Sequence, residues 1–154
     1  MVADARQPLV VVEDDDNDVV LLERAFRKSN LLNPLVFLRD GEMARDYLAG
    51  HGEYADRAAH PLPVLMLLDL KLPRLSGLEL LEWMREQPAL RGLPVVILTS
   101  SRESRDLERA YALGANSYLV KPVAFEALLE LVRAIGLHWL MLNEAPPAAV
   151  GEGD

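Results

Sequence analysis

Three apolar runs break off at a charged residue: Leu9-Val10-Val11-Val12 at Glu13-Asp14, Val64-Leu65-Met66-Leu67-Leu68 at Asp69, and Tyr118-Leu119-Val120 at Lys121-Pro122. Continuous apolar runs this short read as strands covered on both faces, the habit of parallel sheets. Pro34–Leu38 and Pro94–Thr99 repeat the pattern. Between the runs the period changes. Val19, Leu22, Ala25 and Phe26 recur at helical spacing behind the capping residues of Asp14–Asp18, up to Lys28 or Ser29. Met43, Ala44, Tyr47 and Leu48 share a second helical face that ends at Gly50, and Leu78, Leu81, Trp83 and Met84 belong to a third helix. A fourth helix runs from Ser104 to Leu113 and stops at Gly114, Ser117–Val120 is the last strand, and Phe125–Leu142 reads as one long final helix. Residues 50–63, with His51, Gly52, His60, Pro61 and Pro63, form a polar connection expected to lie loosely on the surface. Five strands alternating with five helices predict an α/β fold: a doubly wound, five-stranded parallel sheet flanked by five helices, with right-handed crossovers. It spans residues 7–143, and Glu144–Asp154, rich in Pro, Ala, Gly and acid, reads as a disordered tail.

Composition narrows the chemistry. A chain of 154 residues with 51% hydrophobic content builds one sizeable core. A formal net charge of -8 repels a phosphate backbone, so nucleic acid is not an expected partner. With no cysteine there is no thiolate metal site and no thiol catalysis. Neither a secretory leader nor a run of about 20 apolar residues is visible, so the expected location is the cytoplasm, with no membrane contact.

In an open parallel sheet the carboxyl ends of the strands meet at one edge, where such folds bind ligands. Glu13, Asp14 and Asp69 would therefore gather there with Lys121. Like charges packed together need a counter-cation, and hard carboxylate oxygens suit Mg2+, which takes one or two carboxylates and keeps waters. Asp14 and Asp69 suit direct ligation, Glu13 a water-mediated contact, and the backbone carbonyl of Lys71 a further oxygen. Glu13 and Asp14 could equally be an acidic cluster at a helix N-terminus, with Asp15, Asp16 and Asp18 as capping and solvated charge. Asp69 has no such local duty and can act as a nucleophile on phosphorus. Lys121 could be a plain strand-end charge, yet it is the one amine aimed at the acidic edge, and a cis Lys121–Pro122 bond would help hold it there. The hydroxyl of Thr99 either donates to a phosphoryl oxygen or belongs to a good strand residue and nothing more.

Glu13-Asp14, Leu67-Leu68-Asp69-Leu70-Lys71-Leu72-Pro73, Leu98-Thr99-Ser100 and Gly114-Ala115-Asn116-Ser117-Tyr118-Leu119-Val120-Lys121-Pro122 together resemble the motifs of response-regulator receiver domains, in the family's order. The resemblance implies the flavodoxin-like strand order 2-1-3-4-5. It makes Asp69 the acceptor of a phosphoryl group from a histidine kinase or phosphotransfer protein, Glu13 and Asp14 the magnesium pair, and Thr99 and Lys121 the phosphoryl-binding residues. Tyr118 becomes an aromatic switch that, with Thr99, alters the surface of helix four, strand five and helix five. Lys71 and Ser101 fall beside the phosphoryl group. The expected role is signalling rather than enzymatic, with at most weak autophosphatase activity.

Gly52-Glu53-Tyr54 and the extended final helix are similar to single-domain regulators that pair with phytochrome-type histidine kinases. On the last helix Leu128, Leu129, Val132 and Ile135 have core spacing, whereas Leu131, Leu137, Trp139, Leu140 and Leu142 are surplus apolar residues. They predict a homodimer seam, the alternative being that they cover the domain's own edge. Two other functions compete. A metal-dependent phosphatase with an aspartyl-phosphate intermediate would want an acid two residues past Asp69, where Lys71 stands. A degenerate receiver would act as a phosphorylation-independent interaction module.

Overall fold

The computed structural model describes residues 7–142. Five parallel strands, β1 (Leu9–Val12), β2 (Leu35–Leu38), β3 (Leu65–Leu68), β4 (Val95–Thr99) and β5 (Ser117–Val120), stand in the order β2-β1-β3-β4-β5. Five helices separate and follow them: α1 (Asp16–Lys28), α2 (Gly41–Ala49), α3 (Gly77–Glu86), α4 (Ser104–Ala112) and α5 (Phe125–Ile135). The predicted fold and strand order are the ones observed.

Side chains alternate along each strand, so the central strands feed two separate cores. Val10, Val12, Met66, Leu68, Val95 and Ile97 pack with Ala44, Tyr47 and Leu48 of α2 and Leu80, Leu81 and Met84 of α3. Leu9, Val11, Leu65, Leu67, Val96 and Leu98 pack on the other face with Leu22, Ala25 and Phe26 of α1 and Leu128, Leu129, Val132 and Ile135 of α5. Each of these larger side chains contributes about 1.5–3 kcal/mol on burial, which explains why runs with no polar face end up in the middle of the sheet. Register then levels the strand ends: Val12 pairs with both Leu38 and Leu68, and Thr99 pairs with Val120.

Four expectations are corrected. The connection of residues 50–63 is not loose, because Tyr47 donates its hydroxyl to the Pro61 carbonyl at 2.8 Å and Arg57 donates to the Tyr47 carbonyl at 2.7 Å. The rings of Tyr54 and His60 meet edge to face at 5.3 Å. No peptide bond among the described residues is cis, so Lys121–Pro122 is trans. Trans is favoured for X–Pro by about 0.5–1 kcal/mol, and Lys121 is already fixed by its backbone N–H on the Thr99 carbonyl at 2.8 Å.

The last helix changes character at Gly136, from the α-helix of α5 to a wider π-type turn over Gly136–Leu142. Hydrogen bonds in a π turn run to the fifth residue, so Leu140 follows Ile135 inward and is 2% exposed. Leu140 thus leaves the expected dimer seam. Leu131 and Trp139 are half-buried against the same core, and Leu137 remains exposed. The side chain of Leu142 and the expected tail at 144–154 lie outside the described residues.

Candidate functional site

Because β1 and β3 are in register, the residues just past their ends arrive together. Glu13 is tied to β2 by its N–H on the Leu38 carbonyl at 2.9 Å, and Asp69 to β1 by its N–H on the Val12 carbonyl at 3.1 Å. Glu13, Asp69 and Thr99 are all buried, a costly state for acids without partners. The turn after Asp69 is held down at Gly77, where a Cβ would overlap the Asp69 carbonyl oxygen and crowd Leu70. Any side chain at position 77 would push the acid's backbone off the sheet edge.

Lys121 reaches into this group from β5. Its Nζ donates to Glu13 Oε1 at 2.6 Å, Asp18 Oδ2 at 2.7 Å and Asp69 Oδ2 at 2.9 Å. Burial alone would pull the ammonium's pKa down, but the bonds to Asp18, Glu13 and Asp69 outweigh it and hold the amine charged. Glu13 is pushed up to about 7, first by burial and also by the charge of Asp69, with the bond to Lys121 opposing. One amine cannot neutralise its three carboxylate neighbours.

Asp14 adds a fourth acid on the solvent side. Carboxylate oxygens of Glu13, Asp14 and Asp69 all lie within 4.8 Å of one another. An all-oxygen set this close, with Asp14 exposed so that waters can complete a shell, fits a hard divalent cation. Lys71 is exposed and its N–H lies 3.4 Å from Asp69 Oδ1, a long contact.

The residues expected to sense a phosphoryl group lie on β4 and β5. Thr99 Oγ1 accepts the Ser101 N–H at 3.3 Å, and the half-buried Tyr118 donates its hydroxyl to the Ser101 carbonyl at 3.0 Å. Asp18, expected to be solvated, is instead a partner of Lys121. Asp14 precedes the N-cap Asp15 and so lies outside the helical period, and no sequence signal linked Asp18 to the lysine. Ser101, expected beside the phosphoryl group, has its hydroxyl taken up by α4, 2.6 Å from Asp106 Oδ2. His51 and His138 are exposed and His60 packs in the aromatic group described above, so none joins the acidic edge.

Residues 9–133 match the family model described as the response regulator receiver domain. The chain is 39% identical over 150 residues to the probable methanogenesis regulatory protein FilR2 of Methanothrix harundinacea, covering 96% of this chain and 94% of that one. It is 36% identical over 140 residues to the response regulator Rcp1 of Synechocystis, covering 91% and 93%. The crystal structure of Rcp1 in its Mn2+-bound form superposes with a TM-score of 0.82 over 91% of this chain and 99% of that chain, at 35% identity. The phosphorylated cyanobacterial phytochrome response regulator RcpA superposes with a TM-score of 0.86 over 92% and 99%, at 34% identity. With its strand order, its acidic edge and these relatives agreeing, the chain belongs to the response regulator receiver domain family.

Proposed function

We propose that the chain is a phosphoryl-accepting switch of a two-component system. A carboxylate oxygen of Asp69 attacks the phosphorus of a phosphohistidine on a sensor histidine kinase or phosphotransfer protein. A P–O bond forms on Asp69 and the P–N bond breaks, the imidazole nitrogen keeping the electron pair. The observation that carries this reading is the Lys121 ammonium 2.9 Å from Asp69 Oδ2 at a strand edge shared with Glu13 and Asp14. Transfer of this kind needs in-line placement and neutralised charge more than covalent help. The chain acts as a signalling protein, with at most weak autophosphatase activity.

Within this reading Asp14 and Asp69 would hold Mg2+ directly, Glu13 through a water, and the Lys71 carbonyl would add an oxygen. The ion, when bound, would supply positive charge to the phosphoryl oxygens. Lys121 exchanges a carboxylate for a phosphoryl oxygen, and the Thr99 hydroxyl donates to another. Thr99 and Tyr118 then form the switch that changes the α4–β5–α5 surface.

The kinship to RcpA, a phytochrome response regulator, supports a phytochrome-type kinase as the donor. No described helix is long and apolar enough to cross a membrane; the proposed place of action, beside that kinase, is the cytoplasm. A homodimer seated on the C-terminal segment is supported by Leu137, which is 55% exposed.

Incubation with acetyl phosphate and Mg2+, followed by intact-mass measurement, tests the reading. One phosphoryl group on the wild-type chain and none on Asp69→Asn is expected. Absence of labelling would favour the interaction module, and rapid multiple turnover the phosphatase.

A further inference from the structure

Arg85, near the end of α3, pairs with no acid among the described residues. Its Nε donates to the Leu113 carbonyl at 3.2 Å and its Nη2 to the Gly114 carbonyl at 2.8 Å, just past α4. Its Nη1 donates to the Leu90, Arg91 and Leu93 carbonyls at 3.3, 2.9 and 3.2 Å, in the segment leading to β4. Five carbonyls satisfy most of its N–H groups, but a carbonyl is a dipole and leaves the unit charge without a counter-charge. Burial lowers the pKa of the guanidinium, and no carboxylate opposes that shift. Arg91 repeats the imbalance. It is exposed, its Nε donates to the Arg85 carbonyl at 3.2 Å, and its two terminal nitrogens have no partner among the described residues.

The two arginines line an open surface cavity of about 510 Å³ at the amino ends of β4 and β5, the sheet edge opposite Asp69. Asn116 completes its polar side: the Val95 N–H fixes Oδ1 at 2.9 Å, so only the Nδ2 donor is left for the cavity. Leu93, Ala112 and Leu113 supply an apolar wall, and no carboxylate lines the space. A Cβ at Gly92 would meet nothing within 4 Å, so the approach to Arg91 is open. In a chain of net charge -8, an acid-free cavity with two guanidinium groups runs against the overall charge.

We propose that this cavity binds a phosphate group, either as the free ion or as the head of a small phosphate ester. Guanidinium groups match oxyanions with two parallel N–H donors, and a dianion balances two arginines where a carboxylate would balance one. Arg85 is held in place by its carbonyls before any ligand arrives, so little ordering is lost on binding. Arg91 closes over the ligand from the exposed side, and Asn116 donates to a further oxygen. The phosphate group fills only part of the cavity, and the apolar wall takes the organic remainder of an ester. The site is independent of phosphoryl transfer to Asp69.

Titration of the full chain with inorganic phosphate and, separately, with glycerol 3-phosphate tests the site, read by amide NMR shifts at constant ionic strength. EDTA keeps the acidic edge free of cations, so that phosphate has no counter-ion there. Saturable shifts at Gly92, Gly114 and Asn116 are expected. Arg91→Ala leaves the Arg85 side chain and its carbonyl contacts in place and should weaken binding by roughly ten- to a hundredfold, the worth of a hydrogen bond to a charged group. Asn116→Asp keeps an oxygen for the Val95 N–H but sets a carboxylate against the ligand, and should abolish the saturable shifts. Tighter binding of the ester would assign the apolar wall to its organic part, and equal binding would assign the site to the free ion; both outcomes support a phosphate site. Equal shifts with chloride at the same ionic strength, or wild-type affinity in both folded variants, would overturn it.

Discussion

The Lys121 ammonium lies 2.7 Å from Asp18 Oδ2, joining residues 103 positions apart in the chain. Asp18 therefore ties the first turn of α1 to the end of β5, across the acceptor edge. The two partners are not equally placed: the Lys121 side chain is 13% exposed and that of Asp18 34%. Removing the lysine strands Glu13 and Asp69 as buried like charges, whereas removing Asp18 leaves the amine two other acceptors. In metal-free protein Lys121→Met is expected to cost about 3–5 kcal/mol, and Asp18→Asn less than about 1 kcal/mol. Urea unfolding of both variants checks this, and equal losses would show that Asp18 is the main anchor. Mg2+ should recover more stability in Lys121→Met than in the wild type, because a cation takes over the missing neutralisation.

Asp14 offers the cleanest separation of metal binding from folding. It is exposed, so Asp14→Asn should leave the metal-free unfolding free energy within about 0.5 kcal/mol of wild type. Saturating Mg2+ should stabilise the wild-type chain by about 2.7 kcal/mol at a hundredfold excess over the dissociation constant. The variant should show little of that gain. A full Mg2+ response in Asp14→Asn would remove it from the metal set.

What could be read from the sequence divides along physical lines. Glu13, Asp69, Thr99 and Lys121 were legible because they end strands, and a parallel sheet brings strand ends to one edge whatever the helices do. Asp18 was not legible as a partner, since whether a helical residue faces the edge depends on how α1 crosses the sheet. The hydroxyl of Ser101 was hidden for a similar reason: its bond to Asp106 depends on where α4 begins. Leu128, Leu129, Val132 and Ile135 were correctly assigned to the core by their 3.6-residue period. That period fails at Gly136, where the turn widens, and Leu140 therefore changes from a seam residue to a core residue. The connection at 50–63 looked polar because its contacts are carbonyl and ring contacts, which hydrophobic patterning does not register.

The dimer prediction now rests on Leu137. If the exposed side of the Gly136–Leu142 turn forms a symmetric contact, Leu137→Glu places like charges across the two-fold axis and should convert a dimer to a monomer. Sedimentation at high micromolar concentration, with and without acetyl phosphate, reads this directly. A compact wild-type monomer under both conditions would end the dimer proposal.

Acid sensitivity should have a component at α3, away from the acceptor edge. Ser76 accepts the Glu79 N–H at 3.2 Å, and Glu79 Oε1 accepts the Ser76 N–H at 3.0 Å, a reciprocal cap on the first turn. The backbone hydrogen bond from Ser76 and then its side-chain bond hold the Glu79 carboxyl below its ordinary value of 4.5. A group whose folded pKa is depressed contributes stability above its unfolded pKa and loses it as pH falls through the folded value, where the unfolded chain has taken up the proton first. Glu79→Gln keeps an oxygen for the Ser76 N–H and removes only the charge at the helix N-terminus. The wild type should therefore unfold later than Glu79→Gln near neutrality, and the two curves should converge as pH drops below about 4.5. A stability difference that persists unchanged down to about pH 3 would assign the cap's contribution to geometry rather than to the carboxylate's charge.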